Sequence, residues 1–352
     1  MIDWITAIVP FRHSSLLHDG QVFSISRSGE IEWTTNKRLK VLGSYDSSLH
    51  VQSDLRSRSP EGDYLNIVFD GNPVKFFQGH NLWGTNDLVG LMAETVLKIS
   101  DILHLPISPD DWNLIIGGFY YLKRVDSTMM IELGNNANVE SFLYSAERLA
   151  HMRYKGQGIM TKGTLYFGKH SRRESLKLYN KLKEILAKGH ELPLELQLPE
   201  IYKWVESKLR AEATTRSLEL KQRSLDLAAV WCENKPEEVL LRLLSGLDMS
   251  ENHTITETAL QGLPPRLVAV YHLWREGHDL RAMYPRMTFY RYRKQLQENA
   301  GIDIAIKQGN RQQPAPNVVD FRRVLVPERC QQVPSWAIGT PLYFEPRIKI
   351  SA

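Results

Sequence analysis

TKGTLYFGKHSRRESLKLYNK, residues 161–181, is the stretch from which the fold can be read. Residues 161–168 and 175–179 read as two strands joined by the basic turn Lys169 to Arg173, and Asn180 to Lys188 turns helical before Gly189. Period-two geometry sets Ser175, Lys177 and Tyr179 on one face, with Leu176 and Leu178 on the other. A phenol of ordinary pKa about 10 therefore ends a strand among Lys177, Lys181 and Lys183, in a positive field that favours the phenolate and suits attack on a phosphodiester. A half-buried tyrosine on a sheet edge with solvated lysines would have the same spacing.

Gly163 to Lys169 matches the spacing of a phosphate-binding loop. His170, however, stands where that motif requires Ser or Thr for magnesium, and the intervening residues are strand formers, so ATP hydrolysis is not expected. Upstream, YYLKRVDSTMM (120–130) puts Leu122, Arg124, Asp126 and Thr128 on one strand face. Asp126 there needs a partner, and either Arg124 or a divalent metal would serve. QGHNLWGTNDL (78–88) gathers two glycines, His80, two asparagines and Asp87 around an aromatic. That is the composition of a functional loop, in which His80 is a metal ligand or a phosphate contact, or of a plain loop whose Asn86 caps the next helix.

From Met1 to about Leu133 the pattern is strand-like, interrupted by one helix from Thr85 to Ile102 capped by Thr85 or Asn86; a second helix is expected from Val139 to Arg153. With no regular strand–helix–strand alternation, the first half reads as α+β. From about Leu196 helices are expected to dominate, over 199–227, over 235–246 and as three short ones between 264 and 299, before an irregular Pro-rich tail. The last three have a helix-turn-helix outline. Arg281 to Gln297 carries Arg286, Arg291, Arg293 and Lys294 with Phe289, Tyr290 and Tyr292 interleaved and no acidic residue, which fits a helix entering a DNA groove and equally an ordinary solvated face.

Composition sets wider bounds. The 352 residues, 42% hydrophobic and 24% charged, suffice for more than one packed core. A net charge of +4 permits a polyanionic partner without demanding one. Cys232 and Cys330 lie too far apart for a zinc knuckle or redox pair, and a reducing cytoplasm is the default. Asp3 and the early Pro10 argue against a secretion signal, and no run approaches the roughly 18 apolar residues of a membrane helix.

Several islands, in order, resemble the gene II replication initiators of filamentous phages: the MID start, KFFQGHNLWGTNDL (75–88), RVDST (124–128), TLYFG followed by YNK (164–181), LRAEA (209–213), PRMTFYRYRKQL (285–296) and EPRIKI (345–350). The resemblance implies an antiparallel-sheet rolling-circle nuclease domain over 1–190, a helical extension over 191–250, a helix-turn-helix-like DNA-binding region over 251–309 and a Pro-rich tail over 310–352. It implies a site-specific nickase that cuts one strand of the supercoiled origin, leaves a primer 3′-hydroxyl and later reseals the displaced circle.

On the family pattern Tyr179 matches the nucleophile, forming a 5′-phosphotyrosine link that conserves bond energy for religation. Asp126 matches the acidic residue that helps hold Mg²⁺ or Mn²⁺, with His80, His170 and Glu212 as further candidates, and Lys181 would stabilise charge on the phosphate. Arg286, Arg291, Arg293, Lys294 and Tyr290 would contact DNA. None of the eleven histidines forms the His-x-His pair that many rolling-circle initiators use for metal, and Tyr166 receives no role as a second tyrosine. Implied partners are the phage origin, duplex and displaced single strand, and the host polymerase and helicase; a homodimer on the origin, action in the cytoplasm of the infected bacterium and no membrane association are expected. Met249 lies where the family's shorter internal product would start. A non-catalytic origin-binding regulator and a plasmid or mobile-element initiator are the alternatives.

Overall fold

The computed structural model describes residues 1–232, 234–248, 263–300, 304–305, 330–331 and 333–348. Its chain begins with β1 (Ile2–His13), a hairpin of β2 (Gln21–Ile25) and β3 (Ile31–Asn36), then β4 (Leu39–Leu42), β5 (Ser48–Ser53) and β6 (Tyr64–Gly71). Three helices follow, α1 (Pro73–Gln78), α2 (Leu88–Leu103) and α3 (Pro109–Ile116), and then the long strand β7 (Tyr121–Glu132). The second half runs α4 (Asn136–Leu149), β8 (His151–Met152), β9 (Gly156–Gln157), β10 (Ile159–Thr161), β11 (Thr164–Phe167), β12 (Glu174–Asn180), α5 (Lys181–Leu186), α6 (Pro199–Val205), β13 (Lys208–Arg216), α7 (Ser217–Gln222) and α8 (Lys235–Ser245).

The main sheet has the order β10-β11-β12-β13-β7-β1-β6-β5-β4, with every pairing antiparallel. The expected α+β class with an antiparallel sheet is thus observed. Alternation sorts the faces. Leu176 and Leu178 of β12, Leu209, Ala211 and Ala213 of β13 and Ile131 of β7 pack with α4 and α8, while Ile5, Ala7, Val9, Ile67 and Phe69 pack with α2. The alternate residues of the same strands are Tyr179, Lys177, Arg210, Glu212, Asp126 and Asp70, so the opposite face is polar.

The helix expected over 199–227 is not formed. Helix α6 is short, and 208–216 is the strand β13, seated between β12 and β7 in mid-sheet, so the sheet draws a central strand from beyond residue 190. Leu, Arg, Ala and Glu are all good helix formers, but Leu209-Arg210-Ala211-Glu212-Ala213-Thr214 also alternates, and ladder pairing with two neighbours overrides weak intrinsic propensity. Helix α2 begins three residues later than expected, at Leu88, because Asp87 rather than Thr85 or Asn86 is its cap: the Asp87 carboxylate accepts the Gly90 N–H at 2.8 Å.

The three short helices expected after residue 264 are found at Pro265–Arg275, Leu280–Met283 and Arg286–Ala300, packed around their own core of Leu267, Val270, Trp274, Phe289 and Leu296. Residues 333–348 return to the N-terminal half. Phe344 stacks on Phe77 with centroids 3.8 Å apart, and the Leu342 carbonyl accepts from the Trp83 indole at 2.8 Å. Met249 and the junctions around it lie outside the described residues.

Candidate active site

Strand register builds the site. Cross-strand partners in an antiparallel sheet share a face, and β12, β13 and β7 pair as Tyr179–Arg210–Met130, Lys177–Glu212–Thr128 and Ser175–Thr214–Asp126. Three sequence candidates far apart in the chain, Asp126, Tyr179 and Glu212, are thereby brought onto one polar patch. Tyr179 closes β12; the next residue, Asn180, caps α5 by accepting the Lys183 N–H at 3.2 Å, so Lys181 opens the helix directly beside the phenol.

The Tyr179 hydroxyl donates to Glu212 Oε2 at 3.5 Å, and Lys177 Nζ donates to Glu212 Oε1. Burial, with the neighbouring Asp126 and Asp3 charges and despite Lys177, pushes the Glu212 carboxyl up to about 7. Burial also raises the Tyr179 phenol well above its ordinary value, against the pull of Arg210; the residue is 8% exposed. Asp126 is gripped by Arg124 at 2.8 and 2.5 Å, the pairing foreseen as one of its two possible roles.

Beneath the phenol lies a buried ionic group. Arg210, with no exposed surface, pairs with Asp3 at 3.1 Å and donates to the Asn81 carbonyl. Asp3 also accepts from Asn72 at 2.6 Å and Asn81 at 2.9 Å. Burial alone would raise its carboxyl, but Arg210, Lys181 and the two amides outweigh that and hold it below the usual range. Lys181 donates to Asn81 Oδ1 at 3.1 Å, pairs with Glu184 at 2.7 Å and sits 5.9 Å from the Tyr179 ring centroid. Its ammonium is pulled below the ordinary lysine value by burial and by Arg210.

His80 and His170 are placed elsewhere. His80 is buried in the 78–83 loop, its Nδ1 accepting the Leu82 N–H at 3.2 Å and its Nε2 3.0 Å from the Leu342 carbonyl, so both ring nitrogens are taken; burial holds it neutral, with a pKa of about 3. His170 is exposed in the β11–β12 turn, at the opposite end of β12 from Tyr179. Tyr166 pairs with Lys177 across β11–β12 and so lies on the site face.

Among the described residues no group of three His, Cys, Asp and Glu side chains is placed to hold a metal. The donors that do share the face are the Asp126 and Glu212 carboxylates and the buried hydroxyls of Thr128 and Thr214, which find no hydrogen-bond partner there. Unsatisfied oxygens of this kind suit Mg²⁺ or Mn²⁺. Arg124 and Lys177 are paired with the two carboxylates.

In the helix Arg286–Ala300, Arg286, Met287, Tyr290, Arg291 and Lys294 form one exposed face, whereas Arg293 is half-buried in a cleft of about 920 Å³ that faces Tyr154 and Lys155. Arg210, Asp3 and Asn81 were not singled out as site residues from the sequence. Arg210 stands two residues before Glu212, and the alternation across LRAEA was the signal that would have found it.

A family model for the N-terminal part of the phage gene II replication-associated protein matches residues 1–234, and one for the C-terminal part of the same protein matches residues 265–345. The chain is similar to the gene II replication-associated protein of Enterobacteria phage I2-2, 37% identical over 308 residues, covering 87% of this chain and 88% of that one. Among solved structures it aligns with a rolling circle replication initiator protein from Geobacillus stearothermophilus, at 12% identity and a TM-score of 0.32, over 88% of this chain and 98% of that one.

Proposed function

Because the chain belongs to the family of phage gene II replication-associated proteins, we propose that it starts rolling-circle synthesis by nicking one origin strand through Tyr179. The observation that carries this reading is the juxtaposition on one sheet face of a phenol, a carboxylate 3.5 Å from it with a pKa of about 7, and the cations Lys177 and Arg210, with Lys181 beside them at the start of α5.

Glu212 takes the Tyr179 proton, which a carboxylate of ordinary pKa would do less well near neutrality. The phenolate attacks the scissile phosphorus, the bond to the 3′-oxygen breaks, and that oxygen leaves as the primer hydroxyl after taking a proton from solvent. The 5′-phosphotyrosine ester that results retains the phosphodiester bond energy, and a 3′-hydroxyl attacking it later releases Tyr179 and restores a closed strand. Lys181 and Arg210 stabilise negative charge on the phosphate and on the phenolate. Mg²⁺ or Mn²⁺ held by Asp126 and the Thr128 and Thr214 hydroxyls would polarise that phosphate, with Glu212 left to act as the base. Engagement requires Arg124 to swing from Asp126 toward a DNA phosphate, a move that charge-assisted pairing with the backbone favours, while Lys177 stays on Glu212.

The exposed cationic face of Arg286, Tyr290, Arg291 and Lys294 supplies phosphate and base contacts at the origin, with Arg293 behind it, in a helix-turn-helix role. This reading puts the protein in the host cytoplasm with the host polymerase and helicase as partners; among the described residues no helix is long and apolar enough to cross a membrane. The test is incubation with supercoiled origin DNA and Mg²⁺: wild type gives relaxed product, Tyr179→Phe gives none, and a protein that binds but never relaxes the DNA would be a regulator instead.

A further inference from the structure

The β2–β3 hairpin is paired with no other strand among those described, yet it carries five large apolar side chains in the open: Val22 (44% exposed), Phe23 (48%), Ile25 (63%), Ile31 (60%) and Trp33 (54%). It is well ordered internally. The ladder runs from Gln21–Asn36 to Ile25–Ile31, Lys37 and Asp19 close its base, and Ser26 bonds across the tip to Glu30. An exposed apolar surface of this size on a built element marks an interaction site.

Three features identify what covers it. First, Phe23 pairs across the ladder with Thr34 and Trp33 with Ser24, so the two aromatic rings lie on opposite faces. A protein docking on a sheet face covers one side only, whereas two separated DNA strands offer unstacked bases to both. Second, Arg27 at the tip and exposed Lys40 beyond the base supply cations for flanking phosphates, while Lys37 already neutralises Asp19, Arg38 pairs with Asp70 and Glu32 accepts from the Ser24 hydroxyl. Third, the base is tied to the site face. Arg38 bonds Asp70 at 2.5 Å, Asp70 accepts from the Trp4 indole at 3.0 Å, and Trp4 pairs across strands with Asp126.

We propose that the β2–β3 hairpin is a strand-separating wedge, inserted between the two strands of the origin so that one of them reaches Tyr179 as single-stranded DNA. The proposal rests on the nickase reading above, which requires a single strand at a site whose substrate is duplex. Phe23 and Trp33 replace base stacking lost on opening, each on its own strand, and the cations hold the displaced backbones.

The test uses the full chain carrying Tyr179→Phe, so that opening is read without cleavage. Permanganate reactivity of thymines around the nick site in supercoiled origin DNA should fall about tenfold when Phe23→Ser and Trp33→Ser are added, with duplex binding changed less than about twofold. Trp33→Phe should restore it. With Tyr179 intact, the double serine variant should lose nicking of duplex origin but cut a premelted origin bubble as wild type does. Unchanged thymine reactivity, or equal losses on duplex and bubble, would overturn the wedge, as would loss of self-association with opening intact. Wild type that fails to cut the bubble would instead tell against Tyr179 chemistry, and the permanganate result still decides the hairpin's role.

Discussion

In the proposed mechanism Glu212 is the residue on which the chemistry turns, because burial pushes its carboxyl up to about 7. Its pKa of about 7 means that the base form is scarce at pH 6 and abundant at pH 8, so the rate of the nicking step should rise through about pH 7 and level off above it. Glu212→Gln should slow the step about 100-fold or more and flatten that profile, measured as single-turnover adduct formation across pH. Arg210 makes a different prediction. It is the sole guanidinium paired with buried Asp3 among the described residues, and Arg210→Met takes away that carboxylate's ion-pair partner, leaving it the two amides and the field of Lys181; urea denaturation should show a loss of about 3–5 kcal/mol. Tyr179, Asp126 and Glu212 could be read from the sequence because each stands in an alternating or familiar segment. Arg210 stands in the same alternating LRAEA run as Glu212, but its place beside Tyr179 depends on the register between β12 and β13, which no local pattern states.

Among the elements, β13 shows where local reading stops. Residues 209–214 satisfy a helical propensity scale and a strand alternation at once, and only the two flanking strands choose between them. β12 posed no such ambiguity, because Ser175, Leu176 and Leu178 fall between turn signals and the tyrosine ends the run. The helix Arg286–Ala300 was legible as the last of three between 264 and 299, with Arg286, Arg291 and Lys294 exposed as expected but Arg293 half-buried. Replacing Arg286, Arg291 and Lys294 by Gln should weaken origin binding and lower the slope of log K against log salt by about 2.7 if each neutralises one phosphate, measured by titration at several salt concentrations. An unchanged slope would remove this face from the DNA interface.

For the molecule as a whole, the α+β class was visible in the sequence, while the closure of the C-terminal segment over the N-terminal half was not. Leu342 lies 262 residues from His80, and contact at that separation leaves no periodic trace. That segment seals the 78–83 loop which holds Asn81 against Lys181 and Arg210, so ends of the chain far apart in sequence jointly set the electrostatics at Tyr179. The measurement that tests the account most directly is mass spectrometry of the protein–DNA adduct after nuclease and trypsin digestion. The account predicts a nucleotide mass on the tetrapeptide 178–181, LYNK. A nucleotide on the peptide 163–169, which carries Tyr166 on the same sheet face, or on any other tyrosine, would contradict it.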